Sequence, residues 1–536
     1  MRTIALCVVL LLQASLFFVL PSIGTGIFLS PDETANAVSA RLFSQSGQMR
    51  FTEPLLREFP WMHPRSFVTQ NATMVPVGFL GMPILLGIVR AFVGEWSLVF
   101  VTPLLALSVI FPLWRFMARV GRAAQIATVL TWLSFPTVIL YANRGLFANL
   151  PVVCLTVWAC FLLWELKVSA QGGSASGGKS LKSIQTITSL QLKVLLAGLV
   201  TGVALAMRPM EILWIVPWLA VAWRCRQDRR AHFAWHPHVL FAIGTFIPLA
   251  IASYVAWKTY GSPFTIGYFL RDPIISATSD ARLATSYVAQ WPFGFHPRNV
   301  LFNLMSYFGK MLWPWTIIAL AGIATLWKRN SARPYLYTAG WTIIALTLVY
   351  GQAIYQDHVG VNVISIGNSF VRYLLPLAVF ISLTSGYVCT KIISYAHGAL
   401  YVTLLGFLAM FGTRLALMQD AEGIIPARRE LRRYHEIRDA TVQELKARAT
   451  VFSERSDKIF FPPFRVASPI PDKTTVRNYI DFHENMTGEH TYLFTETLND
   501  RDRTEWERYG VYVENMKTVT ARQALYRLKT NASEKQ

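Results

Sequence analysis

Charge is scarce in this chain. Of its 536 residues 15% are charged and 53% are hydrophobic, whereas a soluble domain of average composition carries roughly 25% charged residues. An ordinary soluble globule is excluded on that ground. Cysteine is scarce as well: Cys7, Cys154, Cys160, Cys225 and Cys389 make up the whole set, and no two form a CxxC pair. Neither disulfides nor a cysteine metal site is expected. A cleavage signal is also missing. The apolar run Ile4–Leu20 is followed by Pro21-Ser22-Ile23-Gly24, a poor match to a small-residue A-x-A site, so the run is expected to stay as the first span.

What the chain has instead is a series of apolar runs. Stretches of about 17–22 residues recur from the N-terminus to about Leu417. Each is long enough to cross a hydrocarbon core of roughly 30 Å as a helix. The spans are expected at 4–28, 96–117, 125–142, 148–166, 192–207, 210–223, 238–257, 312–327, 336–355, 373–390 and 399–418, about eleven in all. Met74–Val93 is apolar too. It is expected to lie at the outer interface, because counting it as a span would put Arg115–Arg122 on the outer side.

The net charge of +20 is placed unevenly. Residues 419–536 hold 20 Lys/Arg and 19 Asp/Glu, which leaves 30 basic and 11 acidic residues for the apolar part. The excess sits in short connections: Arg115, Arg119 and Arg122; Arg224, Arg226, Arg229 and Arg230; Lys328, Arg329 and Arg333; and the lysines flanking the Gly/Ser linker Gln171–Lys179. This is the positive-inside pattern of cytoplasmic loops, not a nucleic-acid patch, and no nucleic-acid partner is expected. The stretches 29–95, 258–311, 356–372 and 419–536 then face outward. The fold class is an α-helical polytopic membrane protein, residues 1–418, with a small extracytoplasmic α/β domain, residues 419–536. In that domain Ala427–Arg448, Thr475–Asn485 and Ala521–Lys529 read as helices. Thr450–Ser453, Lys458–Phe461, Thr491–Thr495 and Val511–Glu514 read as strands, and no Gly-rich phosphate loop is present.

An acidic pair, Asp32-Glu33, stands at the outer end of the first span. The amphipathic stretch Ala35–Gly47 that comes next would lie in the interface and hold the carboxylates at a fixed depth. Pro31-Asp32-Glu33-Thr34-Ala35 and Ala40-Arg41-Leu42-Phe43, then Ala206-Met207-Arg208-Pro209 after a span with Gly198 and Gly202, then Arg372-Tyr373-Leu374-Leu375-Pro376 opening a late span, come in this order and on this side. The series resembles the glycosyltransferase C fold class, and most closely its protein O-mannosyltransferase branch with the bacterial aminoarabinose transferases.

The resemblance implies transfer of a sugar from a polyprenyl-phosphate donor to a protein, glycan or lipid acceptor on the extracytoplasmic side. It implies Asp32 as general base, with Glu33 orienting the acceptor or sharing the role, and inversion in one displacement. A carboxylate near a low-dielectric boundary holds a proton more tightly and so makes a better base. The leaving lipid phosphate needs fixed cations, and arginine's planar fork suits phosphate. Outward candidates are Arg65, Arg208, Arg271, Arg298 and Arg372, with Lys258 and Lys310 behind them. Arg208 and Arg372 lead, because each abuts an apolar span. His63-Pro64-Arg65 could touch phosphate or sugar. Interfacial snorkelling is the competing reading for these arginines. A membrane-belt role competes with sugar stacking for Trp61, Tyr268, Trp291, Phe293 and Phe295.

Two family patterns are absent. The Trp-Trp-Asp-Tyr-Gly motif of metal-dependent oligosaccharyltransferases does not occur, so no metal or other cofactor is expected. The His-Pro-Pro-Leu of protein O-mannosyltransferases is replaced by His63-Pro64-Arg65-Ser66, which leaves mannose and a protein acceptor open. A transporter or flippase, and a non-catalytic scaffold of this fold, are the alternatives. Against a transporter, no internal repeat is evident and the ionisable residues lie at span ends.

Overall fold

A computed structural model describes residues 2–172, 181–224, 237–270, 294, 296–355, 364–395, 398–419, 422–446, 449–487 and 489–530. Residues 173–179 of the Gly/Ser linker, Arg226–Arg230, Arg271, Trp291, Phe293 and Phe295 fall outside these residues.

The chain is mostly helical, and every expected span overlaps helix. The first runs through α1 (Arg2–Ser15) and a 3-10 turn to Phe18, where it ends ahead of the expected boundary. Then come α2 (Pro31–Ser46), α3 (Gly81–Val93), α4 (Ser97–Ser108), α5 (Ile110–Phe116), α6 (Arg122–Ser134), α7 (Pro136–Asn143), α8 (Asn149–Gly172), α9 (Leu181–Met207), α10 (Ile212–Arg224) and α11 (Pro237–Tyr260). They are followed by α12 (Pro297–Leu304), α13 (Trp313–Leu326), α14 (Arg333–Tyr350), α15 (Ser369–Tyr373), α16 (Leu375–Tyr395) and α17 (Gly398–Met418). Among the described residues five helices are long and apolar enough to cross a membrane, or up to seven if each of two bent pairs counts as one span.

The bends have local causes. Phe135 is extended ahead of Pro136, the first residue of α7, and α6 meets α7 at 53°. Proline lacks the amide N–H and pushes the preceding residue out of the helical region. A turn of π-helix, Met305–Met311, and Pro314 near the start of α13 accompany a bend of 97°. Elsewhere glycine permits close approach. A Cβ at Gly198 or Gly202 of α9 would run into the carbonyls of Phe241 or Thr245 on α11. Small residues at such spacing let membrane helices pack backbone to backbone.

The basic connections lie at one end of the helices. Arg115, in the last turn of α5, and Lys193, in the first half of α9, both pair with Glu165 in α8. The residues that open α8 and close α9 lie at the other end. At about 1.5 Å per residue, the 16 steps from Asn149 to Glu165 span roughly 24 Å.

The first outer stretch corrects one expectation. Of Met74–Val93 only Gly81–Val93 is helical; Thr73–Pro76 is the central strand β3 of a small antiparallel sheet with β1 (Phe51–Thr52) and β2 (Phe67–Gln70).

In the C-terminal domain α18 (Ile424–Val442) leads into a five-stranded sheet of order β5-β4-β6-β8-β7. Its strands are β4 (Thr450–Phe452), β5 (Arg465–Ala467), β6 (Thr491–Glu496), β7 (Val511–Thr520) and β8 (Gln523–Thr530). β4 runs parallel to β5 and β6, and β8 is antiparallel to β6 and β7. Three helices complete the domain: α19 (Asp457–Phe460), α20 (Lys473–Thr487) and α21 (Asp500–Arg508). Thus Lys458–Phe461 is a helical turn rather than a strand, and Ala521–Lys529 is mostly strand rather than helix.

The outer stretch and this domain share one core. Leu56, Trp61, Met62, Phe67 and Met74 pack in the same buried cluster as Phe452, Phe461, Tyr479 and Phe494. Trp61 sits 5.8 Å from the Phe452 ring and 5.6 Å from Tyr479, so it belongs to this core and not to a membrane belt.

Candidate active site

The segment Ser30-Pro31-Asp32-Glu33 builds the start of α2. Proline takes the first helical position, where no N–H is needed. Ser30 caps the helix by accepting from the Glu33 amide at 3.2 Å, and the Glu33 carboxylate accepts from the Ser30 amide at 3.1 Å. This reciprocal capping box fixes where the helix begins. Neighbouring helix residues point about 100° apart, and the two carboxylates meet opposite fates. Glu33 is 4% exposed and forms an ion pair of 3.0 Å with Arg144. Asp32 is exposed and accepts a 2.6 Å hydrogen bond from the Ser66 hydroxyl.

Asp32 opens into a cavity at the end of the helices opposite the basic connections. Its walls include Asn36, Ser66, Phe147, Asn149, Arg208, Tyr268, Arg372 and Tyr373. Residues far apart in sequence converge there because their helices begin or end at one level. A Cβ at Gly81, where α3 starts, would strike the backbone of Ala206 and Met207, where α9 ends. Asn36, one turn after Asp32, donates to the Leu146 carbonyl at 2.9 Å and ties α2 to the loop before α8.

The two cations differ in their partners. Arg208, in an extended kink between α9 and Pro209, bonds Glu211 at 2.7 Å and the Tyr350 hydroxyl at 3.0 Å. Glu211 also accepts from Tyr350 at 3.1 Å and from the Trp214 indole. Tyr350 stacks on Tyr373 at 3.9 Å, and the Arg208 guanidinium lies 5.0 Å from the Tyr373 ring. Arg372 donates to the Ser369 hydroxyl at 3.0 Å and covers the Phe147 ring at 4.3 Å. Among the described residues no carboxylate pairs with Arg372, and its buried Nε has no hydrogen-bond partner. An anion arriving in the cavity could supply both. Tyr268 lines the same cavity as Asp32, Arg208, Arg372 and Tyr373. Tyr268 therefore belongs to the site, although it is 60% exposed.

Other sequence candidates lie elsewhere. Arg65 is bound to Asp457 through its backbone N–H at 3.0 Å and its guanidinium at 2.6 and 3.0 Å, and it does not line the cavity. His63 is buried beneath the C-terminal domain, its carbonyl accepting from the Ser468 amide at 3.1 Å. Lys258, Arg298 and Lys310 are exposed and line no part of the cavity. Among the described residues no group of three His, Cys, Asp or Glu side chains could hold a metal ion.

Sequence reasoning passed over Ser66, Asn36, Asn149 and Arg144. A signal existed for some of them. Asn36 is four residues beyond Asp32, hence on the same helix face. Ser30-x-x-Glu33 is a capping-box pattern, which assigns Glu33 a local partner. Nothing in the sequence marks Arg144 as that carboxylate's second partner.

No family model matches the chain, and no curated protein matches it. Solved structures do. ArnT from Cupriavidus metallidurans in the apo state superposes with a TM-score of 0.56 at 12% identity, covering 99% of each chain. The same protein bound to undecaprenyl phosphate gives 0.55 at 14% identity, covering 98% of each. The Archaeoglobus fulgidus oligosaccharyltransferase in the apo form gives 0.46 at 11% identity over 92% of this chain and 69% of that one. Over nearly its whole length, then, this polytopic membrane chain has the fold of ArnT, the glycosyltransferase C fold.

Proposed function

We propose that the protein is a membrane glycosyltransferase that takes a sugar from a polyprenyl-phosphate donor and passes it to an acceptor on the extracytoplasmic side. The observation that carries this reading is the convergence of Asp32, Arg208 and Arg372 on one cavity. The fold shared with ArnT supports the chemistry, since ArnT binds undecaprenyl phosphate. The distance between the basic connections and the cavity supports the sidedness.

In this reading the lipid phosphate sits against Arg372 and Arg208. The unpaired Arg372 guanidinium takes its charge, and the Arg208 fork, oriented by Glu211, adds a second contact. Phosphate recognition by guanidinium is charge-assisted and directional. Asp32 removes the proton from the acceptor hydroxyl. The acceptor oxygen forms the new bond to the anomeric carbon as the bond from that carbon to the phosphate oxygen breaks. The electron pair leaves on the lipid phosphate, which the arginines stabilise. One displacement inverts the anomeric centre. Glu33 is already committed to Ser30 and Arg144, so its role is to fix the helix that presents Asp32.

Replacing Asp32 by Asn tests the reading in cells. The variant should insert normally, lose transfer and accumulate a sugar-phosphate lipid on lipid profiling. Wild-type transfer in Asp32→Asn would overturn the assignment. Sidedness has its own test: in a background without native cysteines, a cysteine replacing Glu505 should react with an impermeant thiol reagent and one replacing Lys328 should not.

A further inference from the structure

We propose that the C-terminal domain positions the base: its helix α19 grips both chain segments that hold Asp32 in place. The inference rests on the reading of Asp32 as general base and adds a role for Ser66, Asp457 and Lys458.

The first grip acts through Ser66. Asp457 is 1% exposed and takes three hydrogen bonds from Arg65, one from its backbone and two from its guanidinium. Arg65 also donates to the Arg455 carbonyl at 2.7 Å. Main chain and side chain are thus both fixed in the residue before Ser66. Ser66 itself has φ of +64°. A residue with a β-carbon is uncommon in that region, and the conformation persists where the surroundings impose it. Its carbonyl accepts from the Val77 amide at 3.0 Å, next to β3, and its hydroxyl is the 2.6 Å donor to Asp32.

The second grip acts through Lys458, the next residue along α19. Its ammonium donates to the Leu29 carbonyl at 2.6 Å, just before the Ser30 cap, and lies over the Tyr434 ring at 4.6 Å. Two adjacent residues of one helical turn therefore hold the start of α2 and the Ser66 segment, which are more than 30 residues apart. Between those two grips stands Asp32. The Ser468 amide, bonded to the His63 carbonyl, adds a third tie to the same loop. Simple adhesion between loop and domain would not need a strained serine whose hydroxyl ends on the base. Placement within about 1 Å matters to catalysis, where such a shift can cost roughly 100-fold.

The test uses the purified full-length protein, with undecaprenyl phosphate as the binding probe, and membranes of a deletion strain for the transfer rate. Ser66→Gly keeps the positive φ and removes the donor. Ser66→Asn keeps both, because asparagine tolerates this region and carries an amide. Ser66→Gly should fold normally, bind undecaprenyl phosphate within about twofold of wild type and transfer about 10-fold more slowly. Ser66→Asn should recover most of that loss. Asp457→Asn should lower turnover more than Ser66→Gly, again without a matching loss of probe binding.

Wild-type turnover in Ser66→Gly, or turnover and binding falling together in every variant, would overturn the positioning role. If Asp457→Asn fails to fold, the two Ser66 variants decide. The underlying reading fails separately, through wild-type transfer in Asp32→Asn. Loss of transfer in Asp32→Asn with none in Ser66→Gly sinks only the positioning role.

Discussion

On one side of the cavity, Asp32 and Ser66 hang from polar ties: the Ser30–Glu33 cap, the Glu33–Arg144 pair and the Arg65–Asp457 pair. On the other side, Arg208 and Arg372 lean on rings, with Tyr350 stacked on Tyr373 and Phe147 under Arg372. The polar wall holds an anion in place by spending the surrounding charges on one another. On the aromatic wall Glu211 neutralises Arg208, whereas Arg372 has no carboxylate partner among the described residues. A cation over an aromatic face is stabilised by the ring quadrupole and stays available to a stronger anion. On the proposed reading, the site keeps its base fixed and leaves Arg372 open to the phosphate.

The sharpest way to break the polar wall is at its two neighbouring carboxylates. Asp32→Asn should lower transfer by about 1,000-fold, within the range general-base removal causes, with little change in thermal stability. Glu33→Ala should do the reverse. It leaves Arg144 buried without its partner, and losing half of a buried pair costs about 3–5 kcal/mol. Transfer assays and melting curves on both variants check the split. Equal effects would erase the distinction drawn between adjacent residues.

The aromatic wall breaks at its arginines. Arg208→Gln leaves Glu211, 5% exposed in its side chain, without its cation. It should destabilise the protein by about 3 kcal/mol and weaken undecaprenyl phosphate binding as a secondary effect. Arg372→Gln strands no carboxylate among the described residues. Its effect should fall on binding, about 10- to 100-fold, the worth of a charged hydrogen bond, with a near-wild-type melting temperature. A finer cut is Tyr373→Leu. It removes the ring from the Tyr350 stack and from Arg208, and should cost about 1 kcal/mol of stability with a smaller change in binding.

The two walls were not equally legible in the sequence. Arg208 and Arg372 announced themselves because an arginine at the end of an apolar run is costly and needs a reason. Asp32 stood out through its place after the first span. The polar ties did not. Arg65 carried the look of a phosphate ligand, and only the folded chain brings Asp457 to it from 392 residues away. The membrane helices were readable because each is a local apolar pattern. The C-terminal sheet was less so. Ala521–Lys529 is rich in helix formers, yet most of it lies in β8, between β6 and β7, where Ala524 and Tyr526 are buried. Pairing with two strands outweighs local preference there. Asn499-x-x-Asp502, a capping box opening α21, was passed over in the same stretch.

The last expected effect concerns the seam between the polar wall and the C-terminal domain, and it is a matter of pH. Burial comes first, then Arg65, and further off Arg144, in lowering Lys458 to about 8, while Asp457 and Glu430 oppose the shift. In the unfolded chain this lysine titrates near 10.4. Below pH 8 both states carry the proton, and the folded state bears the penalty of a partly buried charge. Between pH 8 and about 10.4 the folded protein releases the proton while the unfolded chain keeps it, so this group's contribution to stability rises with pH. Lys458→Met abolishes the titration. Wild type should therefore gain melting temperature relative to Lys458→Met between pH 7.5 and pH 10, by the equivalent of about 3 kcal/mol at most. A pH-independent difference would mean that Lys458 is not held as a partly buried cation between Arg65 and Leu29. The deprotonated amine still has an N–H for the Leu29 carbonyl, so the grip on α2 should outlast the charge.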